Sequence, residues 1–155
     1  MKTIYFDMDG TIVDLYGVNN WLEKLRAEDF SPYEDANPLI DVHKLSEILL
    51  VLKSKGYKLG IITWGSKYSS EKFIKQVRIS KEKWLNKYLP DIIFDEFVVT
   101  DYSCNKASNV EDPFGILFDD SKFIRAFWPG DSYPPEAIFP VLEKLIKGEK
   151  DFESI

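Results

Sequence analysis

The run Ile4-Tyr5-Phe6-Asp7-Met8-Asp9-Gly10-Thr11 is a short, bulky, apolar stretch that ends abruptly in two carboxylates, a glycine and a hydroxyl. It reads as a buried strand that stops at a functional loop. Side chains two apart on a strand share a face, so Asp7 and Asp9 can lean toward one point where the strand runs out. Two carboxylates converging there imply a hard cation or shared proton chemistry. Gly10 lets the backbone turn sharply, and the Thr11 hydroxyl can bond a carboxylate or cap the next segment. Taken alone, the same run is also an ordinary Asp-Gly turn leaving a strand.

Further along, apolar runs alternate with helical patterns. Residues 2 to 7 predict the first strand, and Trp21, Leu22 and Leu25 a short helix. Phe30 to Tyr33 and Asn37-Pro38 read as loop, because Pro disfavours helix for itself and its predecessor. A helix is predicted from about Val42 to Lys55, with Asp41 as N-cap, Leu45, Ile48, Leu49 and Leu52 on one face and Gly56 as terminator. Lys58 to Thr63 is a second strand. Two helical pieces follow at 67–78 and 81–88, then strands at about 94–100 and 115–119, a short helix from Lys122 to Phe127 and a last one from about Glu136 to Lys147. Strands alternating with helices predict an α/β fold: a Rossmann-like parallel sheet with helices on both faces. In such sheets ligands bind beyond the carboxyl ends of the strands. Asp7 and Asp9 leave strand one, Thr63 leaves strand two, Lys106 follows strand three, and Asp119 with Asp120 leaves strand four.

These residues carry a resemblance. Asp7-Met8-Asp9-Gly10-Thr11 after Ile4, Tyr5 and Phe6 resembles the first signature of the haloacid dehalogenase-like superfamily, most of whose members are magnesium-dependent phosphohydrolases. Three further signatures of that superfamily appear in order: Gly60-Ile61-Ile62 ending in Thr63, Lys106 after Phe97-Val98-Val99-Thr100, and Gly115 to Phe118 ending in Asp119-Asp120. The match spans roughly residues 3 to 121. It implies that Asp7 is both metal ligand and nucleophile, forming an aspartyl-phosphate. Asp9 gives its backbone carbonyl to Mg²⁺ and its side chain to proton transfer, a role that needs a raised pKa. Thr63 and Lys106 hold the transferring oxygens. The acidic pair completes the metal site, Asp120 as direct ligand and Asp119 behind it, or the reverse.

Within the superfamily the pattern is most similar to the 5'(3')-deoxyribonucleotidases, which also carry an aromatic and basic helix of the type Glu82 to Leu89 after the second signature. Two features depart from them. Thr63 is followed by Trp64-Gly65-Ser66 rather than by a small hydroxyl residue and often Pro, and the segment 12–40, a minimal cap in a single domain of residues 1–155, is short. A much reduced cap leaves an open site. Tyr16, Trp21, Phe30, Tyr33 and Trp64 are candidates to stack on a base, Trp64 directly beside the signature Thr; all of them can equally fill a core.

Composition sets the outer limits. At 155 residues with 45% hydrophobic content, the chain suits one domain with a sizeable core. No apolar stretch approaches the roughly 18 to 20 residues needed to cross a bilayer. The single cysteine, Cys104, cannot make an internal disulfide, and a reducing, cytoplasmic setting is the default. His43 reads as a surface residue. A net charge of −6 argues against stable nucleic-acid binding. Positive charge is nonetheless concentrated between Lys67 and Lys87, where Lys72, Lys75 and Arg78 can share a helix face, and the start of that helix with Lys67 can attract an anionic substrate. The expected function is a Mg²⁺-dependent phosphomonoesterase acting on small phosphorylated substrates, above all nucleotides. The alternatives are a phosphatase of nucleic-acid ends or phosphoproteins, and a non-catalytic binding module on the same fold.

Overall fold

Ile4, Tyr5 and Phe6 are all but completely buried, and they form the centre of a parallel sheet. In the computed structural model, which describes residues 2–67 and 69–148, β1 (Thr3–Phe6) lies between β2 (Lys58–Trp64) and β4 (Ile116–Phe118), with β3 (Glu96–Thr100) and β5 (Ser132–Tyr133) at the edges. The order is β3-β2-β1-β4-β5 and every pairing is parallel. Around the sheet are α1 (Trp21–Arg26), α2 (Ser31–Asp35), α3 (Val42–Ser54), α4 (Glu71–Tyr88), α5 (Lys122–Phe127) and α6 (Ile138–Ile146).

Strand alternation divides the core in two. Ile4, Phe6, Leu59, Ile61, Ile116 and Phe118 face one side, against Leu45, Leu49 and Leu52 of α3, Trp84 and Leu85 of α4, and Val141 and Leu142 of α6. Tyr5, Ile62 and Leu117 face the other, where Trp128 and Ile124 of the α5 region cover them. Full burial of a side chain such as Leu49 or Leu52 stabilises the fold by about 1.5–3 kcal/mol. The arrangement is a Rossmann-like α/β sheet with helices on both faces. Among the described residues no helix is long and apolar enough to cross a membrane.

The predicted α3 forms with its predicted ends: Asp41 accepts from the Lys44 amide at 3.0 Å, and beyond the helix the Gly56 and Tyr57 amides return to the carbonyls of Lys53 and Leu52. Three expectations need correction. Ser31-Pro32-Tyr33 is not loop but the start of α2, because a proline in the first turn gives up only an amide that has no helical partner there; Asp29 accepts from the Ser31 amide at 2.9 Å. Residues 71–88 form one continuous helix rather than two pieces, with the Ser80 hydroxyl donating to Glu34 at 2.9 Å where a break was predicted. The two-residue strand β5 was not foreseen; it is too short to show a period.

Gly60 is set by its neighbour. A Cβ there would lie 2.5 Å from Cδ1 of Tyr5, whose ring packs edge-on against Trp128 and whose hydroxyl bonds Glu96 and Asp112. The ring has nowhere to retreat. Gly60→Ala is therefore expected to lower the unfolding free energy by about 2 kcal/mol, measured by urea denaturation; an unchanged midpoint would show that the Tyr5 ring moves freely.

Candidate active site

The chain runs from β1 outward to β2 and β3 on one side, and later fills β4 and β5 on the other, so strand order reverses beside β1. That reversal opens a crevice at the carboxyl ends of β1 and β4. Phe6 is level with Phe118, and the Asp7 amide donates to the Phe118 carbonyl at 2.9 Å, so Asp7 and Asp119 leave the sheet side by side. Gly10, with φ of 81°, turns the chain where a Cβ would meet Asp120 Oδ2 at 2.4 Å. Thr11 then ties the two strand ends together: its hydroxyl donates to Asp7 Oδ2 at 2.8 Å and accepts from the Asp120 amide at 3.1 Å.

Asp7, Asp9, Thr63, Trp64, Lys106, Asp119 and Asp120, the residues selected from the sequence, all line one cavity of about 380 Å³. Lys106, only 3% exposed, follows β3 and reaches back to donate to Asp7 Oδ1 at 2.9 Å and Asp119 Oδ2 at 2.7 Å. Burial works to deprotonate it, but the two carboxylates outweigh burial and its pKa is raised. Asp119 is engaged at both oxygens, the second accepting from the Ser121 amide at 2.9 Å. Asp120 Oδ1 lies 3.4 Å from the Thr11 hydroxyl, whose proton is shared chiefly with Asp7.

One principal residue was not anticipated. Lys81 is 1% exposed, and its ammonium donates to Asp9 Oδ2 at 3.0 Å, Thr63 Oγ1 at 2.7 Å and the Trp64 carbonyl at 2.8 Å. The Tyr33 ring lies beneath it, 5.0 Å from the charge. The signal was present: Phe73, Val77, Lys81 and Leu85 recur every four residues, so Lys81 occupies a place in the buried stripe of α4. Counted only among the basic residues of 67–87, it passed for surface charge.

The rest of that basic segment behaves differently. Lys72, Lys75 and Arg78 are exposed, and none of them lines the cavity; Arg78 stacks on Phe97 and donates to its carbonyl. Helix α4 begins at Glu71, and Glu28 already sits at its start, accepting from the amide and hydroxyl of Ser70. Lys67 does line the cavity. Of the aromatic candidates, Tyr16, Trp21, Tyr33 and Trp64 line it, Phe30 does not, and Tyr102 joins them.

Asp7, Asp119 and Asp120 each offer an oxygen within 4.8 Å of the others, a trio able to hold a metal ion. Burial and the charge of Asp7 push Asp119 up and Asp120 up to about 7. Burial likewise raises Asp9, against the pull of Lys81, and its Oδ1 is buried without a hydrogen-bond partner. One ammonium among three crowded carboxylates leaves negative charge uncompensated, and all-oxygen donors suit a hard divalent cation. The residues fit such an ion. A scan against protein-family models returns no match for this chain, and a search of curated proteins returns none either.

Two outcomes are expected. Because the folded-state pKa of Asp120 lies above its ordinary value, the fold is favoured while the proton is bound, and that contribution fades as pH rises through about 7. A cation competes with the proton, so the gain in Tm from magnesium chloride over EDTA should be larger at about pH 8 than at about pH 5; an equal gain would place the ion elsewhere. Lys81→Met should lower stability by about 3 kcal/mol by stranding Asp9, and Asp9→Asn in that background should recover part of the loss in urea denaturation. Additive losses would mean that the pair is not coupled.

Proposed function

We propose that the chain is a Mg²⁺-dependent phosphomonoester hydrolase of the haloacid dehalogenase-like type, working through an aspartyl-phosphate and acting on nucleotides. The observation that carries this reading is the convergence of Asp7, Asp9, Thr63, Lys106 and the Asp119-Asp120 pair, drawn from four strand ends, on one cavity.

A phosphate monoester is an anion that repels an incoming carboxylate. Mg²⁺ held by Asp7, Asp120 and Asp119, with the backbone carbonyl of Asp9, would supply neutralisation of that charge. Asp7 is the nucleophile. Thr11 and Lys106 grip its two oxygens separately, which fixes the plane of the carboxylate before phosphorus arrives. The Thr63 hydroxyl accepts from Lys81, which leaves its own O–H to donate to an oxygen of the transferring group. Asp9, raised by burial, gives its proton to the leaving oxygen and afterwards withdraws one from the water that opens the aspartyl-phosphate.

For the leaving group, the cavity offers rings. Tyr16 and Trp21 pack edge to face at 4.9 Å, and Trp64 and Tyr102 meet at 5.1 Å; all four line the cavity. A nucleobase fits such a lining, each stacking contact contributing roughly 1–3 kcal/mol. The exposed lysines of α4 lie away from it, which favours a mononucleotide over a nucleic-acid end.

Asp7→Asn tests the covalent route. With Mg²⁺ and a panel of 5'- and 3'-nucleotides, the wild type should release phosphate and lose that activity in EDTA, while the variant should be slower by about 10³-fold or more with its fold intact by circular dichroism. A variant that keeps the wild-type rate would sink the covalent route. Equal turnover of phosphopeptides would shift the substrate class.

A further inference from the structure

The segment that delivers Lys106 is largely exposed until the lysine itself, with residues 101–103 and 105 open to solvent. Residues 101–105 leave β3 through a turn in which the Cys104 amide donates to the Asp101 carbonyl at 3.2 Å and Ser103 adopts φ of 68°, a left-handed conformation that a serine enters at a cost. This loop lines a second groove of about 230 Å³ that Trp64, Phe123 and Phe127 also line. Those two rings are 69% and 65% exposed, so they do not press on the loop as a core would. A lysine whose ammonium must meet two carboxylates at once is thus carried by backbone that lines a groove.

Trp64 supplies what packing does not. Its indole Nε1 donates to the Cys104 carbonyl at 2.9 Å across 40 residues of sequence, two positions before Lys106. Its ring lies 5.7 Å from the Lys106 ammonium, its electron-rich face toward the charge. The next residue, Gly65, donates its amide to the Thr100 carbonyl at 2.7 Å, fixing the other end of the same loop. Trp64 itself is anchored as the last residue of β2, in register with Thr100.

We propose that Trp64 is the positioning residue for Lys106: through the Cys104 carbonyl it holds the lysine-bearing loop at the height where the ammonium bridges Asp7 and Asp119. This rests on the phosphatase reading for its effect on turnover, though not for its effect on the loop. It differs from a stacking wall in what it controls. A wall acts on substrate affinity, whereas an anchor for Lys106 acts on the rate of the chemical step.

The test removes the N–H and keeps a ring. In Trp64→Phe, hydrogen–deuterium exchange of amides 101–106 should quicken by about tenfold relative to wild type, and kcat on a nucleotide should fall by about tenfold or more with KM changed less than about twofold. Replacing Trp64 with 3-benzothienylalanine, which matches the indole in size and lacks the N–H, should do the same and covers the case in which the phenylalanine variant folds poorly. A rise in KM with kcat and loop exchange at wild-type values would overturn the proposal and leave Trp64 as a wall. Should the wild type hydrolyse no phosphate ester, the functional reading fails and exchange alone decides: quickened exchange supports the anchor, unchanged exchange rejects it.

Discussion

A single buried ammonium between two carboxylates governs the architecture of this site. Parallel pairing of β1 with β4 brings Asp7 and Asp119 out of the sheet side by side, and two like charges at that separation in a poorly solvated crevice cannot both be stable unaided. Lys106 answers both with one charge. Removing Lys106 would strand two buried carboxylates, a loss of several kcal/mol in comparable settings, whereas removing either carboxylate leaves the lysine paired with the other. The trio therefore has to be assembled together, and it sits where strand order reverses because only there do two adjacent strand ends open without a helix crossing above them.

What Lys106 leaves uncompensated defines the rest of the chemistry. Asp120 stands next in the chain, with its pKa pushed up to about 7 by partial burial of its carboxyl and by Asp7. A carboxyl held in that condition keeps its proton more tightly than an ordinary one, and a divalent cation that displaces the proton relieves the crowding of negative charge. Across the cavity the balance differs: Asp9 and Lys81 neutralise each other, while burial still favours the protonated acid. In the proposed reaction the carboxylates at β4 would hold the cation, and Asp9, bonded to Lys81 of α4, would handle the proton. That division is what a phosphoryl transfer of the proposed kind requires, since cation and acid must act on opposite ends of the transferring group.

The strand ends were legible in the sequence because each combines an apolar run with an abrupt polar stop, and both halves of that pattern are local. Asp7, Thr63 and Asp119 needed nothing more. Lys106 was legible only through its order after β3, since its reach back to Asp7 depends on a loop that no periodicity describes. Lys81 was not legible because the predicted break between 78 and 81 cut it off from Phe73 and Val77; in the continuous helix the four-residue spacing of Phe73, Val77 and Leu85 puts it among buried side chains. Helix α2 was missed for a different reason. Proline excludes helix from its second turn onward but not from its first, and Pro32 falls in the first. The position of Glu28 against Ser70 joins segments 42 residues apart and left no local trace.

The supports of the site are unequal, and the inequality has a direction. Asp7 and Asp119 directly follow central strands that are almost fully buried, and Lys81 stands mid-helix in the buried stripe that includes Val77, Trp84 and Leu85. Lys106 stands on the loop after β3, held by the short turn that Asn109 closes on its carbonyl, by the indole N–H two residues earlier and by its own two carboxylates. If the carboxylates are drawn toward a cation, the lysine loses part of its hold, and the indole contact becomes the restraint that keeps it within reach. A site in which Asp7 leaves a central strand while its charge partner comes from a loop concentrates its freedom in that partner. It is there, rather than at the strand ends, that substitutions far from phosphorus will reach the chemistry.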